Sequence, residues 1–357
     1  MRFPKFLEKG GRAGFIAPSF GAVDEPYARW FDLALKEFEE RGYRTVIGPN
    51  CRKAVGLGKS NTPEKCGEEI NDFFTGDFCD AIISCGGGET MCEDLGYVDF
   101  DRIGAAQPKW FMGYSDNTNL TFTLPLICDT AAIYGPCAGT FAMKPAHPSV
   151  EDAWQLLSGE NVKDGCITFR SYDGWEGPED GTHESERPVY NITRTPSASA
   201  CLLPGYGTDG RPVWSDEVTV SGRLTGGCLD VLRTLVGTSY DRVAGYNNRY
   251  GHEGVLWFLE SCDYSSIEVR RALWQLRSAG WFAAASGFIF GRPLMYDDCA
   301  FGMSQKDAVL SALDGIDVPV IFDADLGHLP PAMPIVSGAF GECTFSGGKI
   351  TLKQYLR

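Results

Sequence analysis

The chain has 357 residues, 43% hydrophobic and 12% aromatic, enough for a sizeable core and for two domains or one large one. Its 32 Lys and Arg against 47 Asp and Glu give a net charge of −15, which repels phosphate backbones and argues against nucleic acid as a partner. Thirteen scattered cysteines, an odd number with no C-x-x-C pair, exclude a disulfide framework and a zinc site and point to reduced thiols in a cytoplasmic protein.

The N-terminal residues lack the apolar run of a signal peptide, and the longest weakly polar run, 280–290, is too short to span a bilayer. No membrane partner is expected. Residues 13–17 are a short apolar strand candidate ending at Pro18-Ser19-Phe20-Gly21. A helix follows, with Tyr27, Trp30, Phe31, Leu35 and Phe38 at helical spacing and Gly42 placed as a C-terminal stop. Residues 45–47 are the next strand. Thr62-Pro63-Glu64 starts a helix with proline in its first position, and Ile70, Phe73 and Phe74 are expected to face the core. Strands at 81–84, 110–112 and 133–134 complete the first part. This alternation predicts an α/β domain over 1–150, with a mostly parallel sheet and helices on both faces.

Residues 151–221 read as a crossover. The segment 171–186 is acidic, glycine-rich and aperiodic, and 205–210 repeats turn signals. A second domain is expected over 222–357. It has strands at 254–259, 287–290 and 318–322, and helices carried by Ile267, Leu273, Trp274 and Leu276 and by 303–313. A closing hairpin is expected around Ser346-Gly347-Gly348.

The chemistry lies in the loops after strands, where open parallel sheets place their sites. Gly113-Tyr114-Ser115-Asp116 follows an apolar strand and precedes a polar helix start. Ser115 there is either an exposed nucleophile on a sharp strand-to-helix turn or an ordinary helix cap. One strand earlier, Gly86, Gly87 and Gly88 let backbone N–H groups converge on a ligand oxygen, unless they form only a tight turn. A serine nucleophile needs a base, and there are four histidines. His147 and His183 fall in loops and His252 precedes a strand. His328, just beyond a strand and between Gly327 and Leu329-Pro330-Pro331, is favoured. Glu260 directly follows five apolar residues, so it is solvated, paired or functional. With no H-E-x-x-H and no clustered histidines, no metal is expected.

Taken in order, Ala17-Pro18-Ser19, Gly86-Gly87-Gly88, Gly113-Tyr114-Ser115-Asp116, 222–229, Leu259-Glu260, and Gly327-His328 with Pro330-Pro331 and Met333-Pro334-Ile335 resemble the LD-carboxypeptidase family of serine peptidases. That family also contains the microcin C immunity proteins. The likeness spans nearly the whole chain and is weakest over 171–214. It implies a Ser-Glu-His triad with Ser115 as nucleophile, His328 as base and then acid, and Glu260 as orienting carboxylate. The oxyanion hole would be Asp116 N–H with Gly87 N–H, beside Gly86 and Gly88. The implied fold is a flavodoxin- or amidotransferase-like α/β domain joined to a C-terminal domain with a small β-barrel and flanking helices, with the site between them. A homodimer without metal or organic cofactor is implied too.

The implied substrate is a small peptide or peptide conjugate, first of all a muropeptide tetrapeptide losing a terminal D-amino acid during cell-wall recycling. Its free carboxylate would need a cation or a nest of N–H groups, and Arg223 is the candidate cation. The alternative is an aminoacyl-nucleotide conjugate, its base stacked on Trp175 or Trp214. An alternative of another class is a non-catalytic small-molecule binding protein built around the glycine loop.

Overall fold

The computed structural model describes residues 1–181, 185–202 and 212–357. The first part contains β1 (Arg12–Ile16), α1 (Tyr27–Glu40), β2 (Arg44–Ile47), α2 (Pro63–Thr75), β3 (Ala81–Ser84), α3 (Phe100–Ala105), β4 (Trp110–Gly113), α4 (Thr118–Ile127), β5 (Ala132–Tyr134) and α5 (Pro148–Ser158). β3 and β4 are buried along their whole length, as continuous apolar runs must be when helices cover both faces of a parallel sheet. Pro63 opens α2 after Thr62, where its missing N–H costs nothing. The helix buries Ile70, Phe73 and Phe74, each worth about 1.5–3 kcal/mol of transfer free energy. On the opposite face α1 buries Phe31, Leu35 and Phe38, and Phe38 packs against Phe15, Phe141 and Trp154.

The rest comprises β6 (Cys166–Arg170), β7 (Ser199–Leu202), β8 (Val213–Ser215), β9 (Glu217–Cys228), α6 (Leu229–Leu235), α7 (Val243–Tyr250), β10 (Val255–Glu260), α8 (Ser266–Ser278), β11 (Ala285–Gly291), β12 (Cys299–Ala300), β13 (Met303–Ser304), α9 (Gln305–Leu313), β14 (Pro319–Ala324), β15 (Ile335–Ser337), β16 (Phe340–Ser346) and β17 (Lys349–Tyr355). The first sheet is six-stranded in the order β15-β5-β4-β3-β1-β2. Only β15, which returns from the C-terminal part, is antiparallel to its neighbour β5. The second sheet is nine-stranded in the order β6-β17-β16-β9-β10-β11-β14-β7-β8, with β9, β10, β11 and β14 mutually parallel.

The small β-barrel expected for the C-terminal part is therefore not formed; among the described residues this sheet is open. Long β9 is the reason. Its first half pairs with β16 and its second half with β10, so one strand serves an antiparallel flank and a parallel centre. The two sheet ends, β6 and β8, lie on opposite sides of that centre rather than meeting. The segment read as a crossover supplies both ends, β6 on one side and β7 with β8 on the other. The turn-rich stretch 205–210 falls outside the described residues. In α8 the core is met by Val269, Leu273 and Leu276, whereas Trp274 points to solvent at 65% exposure. Among the described residues no helix is long and apolar enough to cross a membrane. All thirteen cysteines are free thiols.

Candidate active site

β4 delivers Ser115 to the end of the first sheet, and a 3-10 turn, Ser115–Asn117, carries the chain straight into α4. Ser115 has φ 61, a left-handed conformation costly for a residue with a Cβ. Its hydroxyl does not cap a helix: Tyr114 and Asn117 occupy the two cap positions, neither with a side-chain cap bond. Ser115 Oγ is instead hydrogen-bonded to His328 Nε2 at 2.9 Å. The other ring nitrogen, Nδ1, lies 2.7 Å from Glu260 Oε2. Ser115 thus comes from the first sheet, Glu260 from the end of β10, and His328 from the loop after β14.

Glu260 is only 2% exposed. Burial alone would raise its proton affinity, but the His328 charge and the hydrogen bonds from His328 and Tyr134 outweigh it and hold the carboxyl below its ordinary value. His328 is the mirror image. Burial disfavours its cation, yet Glu260, helped by Cys262, drives its proton affinity well above that of an ordinary imidazole. Gly327 makes this approach possible. Its φ is 99°, and a Cβ there would fall 2.8 Å from both Glu260 Cβ and Oε2.

The glycine loop after β3 closes over the elbow. A Cβ on Gly87 would lie 3.5 Å from Ser115 Cβ and 3.7 Å from its Oγ. Gly86 accepts Asn117 Nδ2–H through its carbonyl at 2.9 Å, and Gly88 backs onto Ser19. Asp116 is buried, and its carboxylate accepts from Ser19 Oγ at 2.6 Å, Met91 N–H at 3.0 Å and Asn119 Nδ2 at 3.0 Å. Burial lifts its proton affinity and those donors restrain the rise. Ser19, distant in sequence, thus supports the elbow through Asp116.

Three residues that sequence reasoning missed complete the site. Asn117, where a G-x-S-x-G elbow has its last glycine, ties the elbow to the glycine loop. Tyr134 lies between Ser115 and Glu260, accepting Ser115 N–H at 3.2 Å and donating to Glu260 Oε1. Thr118 Oγ1 accepts Cys228 N–H at 3.0 Å, docking the start of α4 on the end of β9. Each bond links segments far apart in the chain, so no local pattern announces it.

Arg223 is a correction. It lies at the other end of the β9–β10 pairing from Cys228 and Glu260, opposite Val255. Its guanidinium donates to Glu253 Oε2 and, at 2.9 Å, to Gly338 O, over the Tyr250 ring. It is structural and cannot hold a substrate carboxylate beside Ser115. Arg223→Met is expected to lower stability by about 2 kcal/mol, because Glu253 loses its partner. Calorimetry should show the fall while KM stays unchanged. Trp175 is a second correction: 2% exposed, it is covered by Arg194 and Arg292, each 5.0 Å from its ring, and presents no free stacking face. Trp214 is half exposed on β8, against Phe322. Of the other histidines, His147 caps α5, His252 is exposed, and His183 lies outside the described residues.

A cavity of about 120 Å³ opens beside His328, lined by Tyr114, Tyr134, Thr140, Tyr190 and Met333 among others. A larger one, about 280 Å³, lies behind Glu260 and reaches neither Ser115 nor His328. Among the described residues no group of three or more His, Cys, Asp or Glu could hold a metal ion.

The LD-carboxypeptidase N-terminal domain matches residues 13–135, and the LD-carboxypeptidase C-terminal domain matches residues 221–342. The chain belongs to the LD-carboxypeptidase family. Its relatives include the microcin C7 self-immunity protein MccF of Escherichia coli, 24% identical over 98% of this chain and 95% of that protein. A probable murein peptide carboxypeptidase of Bacillus subtilis is also 24% identical, over 94% of this chain and 89% of its own. Among solved structures, wild-type apo MccF superposes with a TM-score of 0.81 at 21% identity, covering 100% of both chains. The muramoyltetrapeptide carboxypeptidase of Oxalobacter formigenes gives 0.68 at 18% identity, covering 96% of this chain and 98% of its own. These structural likenesses establish the shared LD-carboxypeptidase fold.

Proposed function

We propose that this protein is a serine hydrolase that cleaves a small peptide or peptide conjugate through an acyl-enzyme. The supporting observation is the unbroken line Ser115 Oγ, His328 Nε2, His328 Nδ1, Glu260 Oε2, at 2.9 and 2.7 Å. Neutral His328 takes the Ser115 proton as Oγ attacks the amide carbonyl. The developing oxyanion is met by N–H groups of Asp116 and the glycine loop, with Gly87 nearest the hydroxyl. The tetrahedral intermediate collapses, and His328 returns the proton to the departing amine. Water, activated by His328, then attacks the acyl-enzyme and releases the acid and Ser115. Glu260 keeps the Nδ1 proton in place and balances the imidazolium.

The leading substrate is a muropeptide tetrapeptide, with a terminal D-amino acid as leaving group. A second reading, an MccF-like amidase, is favoured by the higher TM-score and complete mutual coverage with MccF, which has been solved with aspartyl sulfamoyl adenosine. The test is to incubate the purified chain with a D-Ala-terminated tetrapeptide and, separately, with aspartyl sulfamoyl adenosine. Release of D-Ala supports the first reading and release of aspartate the second. Turnover of neither, with no Ser115 acylation, would favour a binding protein.

A further inference from the structure

Tyr134 ends β5 and is 2% exposed. Its ring is fixed by packing, with Phe258 at 5.6 Å and Tyr114 at 6.4 Å between centroids. Its phenol oxygen lies where the two sheets meet, accepting Ser115 N–H from one and donating to Glu260 Oε1 on the other. The direction of both bonds is forced, because a backbone N–H only donates and an ionised carboxylate only accepts. We infer that Tyr134 is a positioning residue of the triad, aligning the Ser115 elbow with the Glu260 carboxylate. The inference rests on the acyl-transfer reading above.

Two consequences follow from that geometry. Ser115 N–H is spent on Tyr134, so it is turned away from the reacting carbonyl, and the oxyanion falls to Asp116 and the glycine loop. With Oε1 pinned by the phenol, Oε2 alone faces His328. The Nδ1 proton is then retained, and the Nε2 lone pair stays aimed at Ser115 Oγ. Burial and the Glu260 charge hold the phenol neutral, so it stays a donor throughout the working pH range.

The groups facing His328 are Glu260 and Cys262, from β10 and the turn after it, Glu89 from the glycine loop, and the Tyr114 ring. Those facing Glu260 are His328, Tyr134, Cys228, Asp230, Tyr114 and Cys262. Removing the phenol takes a hydrogen bond from Glu260. The more basic carboxylate then holds the His328 proton harder. Activity requires neutral His328, so its loss on acidification begins at higher pH.

The test uses the rate at which a fluorophosphonate labels Ser115, followed by intact mass across pH, in wild type, Tyr134→Phe and Ser115→Ala. Tyr134→Phe keeps both ring contacts and is expected to fold, melting a few degrees below wild type because Ser115 N–H and Glu260 Oε1 each lose a partner. Its labelling should slow about 10- to 100-fold, with the acid limb displaced upward. A folded Tyr134→Phe with unchanged rate and limb, beside an unlabelled Ser115→Ala, would overturn the positioning role and leave the hydrolase reading intact. Failure of wild type to label at Ser115 would instead overturn that reading and this inference with it. If Tyr134→Phe does not fold, the second readout is a low-field hydroxyl proton of Tyr134 in the NMR spectrum of the wild type. A signal that Glu260→Gln shifts supports the role, and its absence overturns it.

Discussion

Replacing Ser115 by alanine is expected to lower hydrolysis by about 10⁵- to 10⁶-fold, with His328→Ala costing nearly as much and the double variant little more. The reason is that the two groups are one device. Ser115 Oγ at its free proton affinity is a poor nucleophile, and His328 has nothing to deprotonate once the hydroxyl is gone. The remaining acceleration would come from the glycine loop and Asp116 N–H acting on bound substrate. Single-turnover kinetics on the three variants checks this. Additive losses, in which the double variant falls by the product of the single effects, would show that the residues act independently. Ser115→Ala also relieves no strain, because alanine at φ 61 keeps the same Cβ.

Glu260→Gln is expected to lower turnover by about 10⁴-fold and to move the acid limb of kcat/KM downward. In the wild type, burial opposes the His328 cation but Glu260 overrides it, so the imidazole keeps its proton to a pH well above the ordinary histidine value. In the proposed mechanism neutral imidazole is the active form. Wild-type activity therefore falls as pH drops through that raised value and levels off above it. In Glu260→Gln the neighbouring negative charge is gone and burial counts for more, so the inflection should fall below that of the wild type. The amide also puts an NH2, which cannot accept, where one of the two carboxylate oxygens met His328 or Tyr134, so ring orientation suffers as well. A kcat/KM profile over pH 5 to 9 reads both effects. A limb that stays in place would mean that Glu260 does not set the His328 proton affinity. Tyr134→Phe and Glu260→Gln should thus move the limb in opposite directions.

How legible this was in the sequence varied with how local each feature is. β3 and β4 are short apolar runs closed by glycine, and Thr62-Pro63 is a helix start in any context, so the first sheet could be read directly. Ser115, Glu260 and His328 were individually ambiguous. Each lies at or just beyond a strand end, but only their order alongside the glycine loop and Ala17-Pro18-Ser19 singled them out. β7 and β8 are too short and irregular to show a period, and the open second sheet depends on β9 serving two partners, which no window of sequence reveals. Arg223 looked like a free cation because Glu253, its partner, lies 30 residues on. Trp175 looked like a platform because the arginines covering it belong to distant segments. Tyr134 carries no signature at all: a tyrosine ending a buried strand is ordinary until the partner sheet places Glu260 against its hydroxyl.

The central claim is that one hydroxyl, Ser115 Oγ, is activated by groups delivered from the other sheet. Treating the purified protein with a fluorophosphonate and mapping the adduct by peptide mass spectrometry tests it most directly. A single adduct on the peptide carrying Ser115 is expected, absent in Ser115→Ala and formed far more slowly in His328→Ala. Labelling that persists in Ser115→Ala, or proceeds at the wild-type rate in His328→Ala, would contradict it.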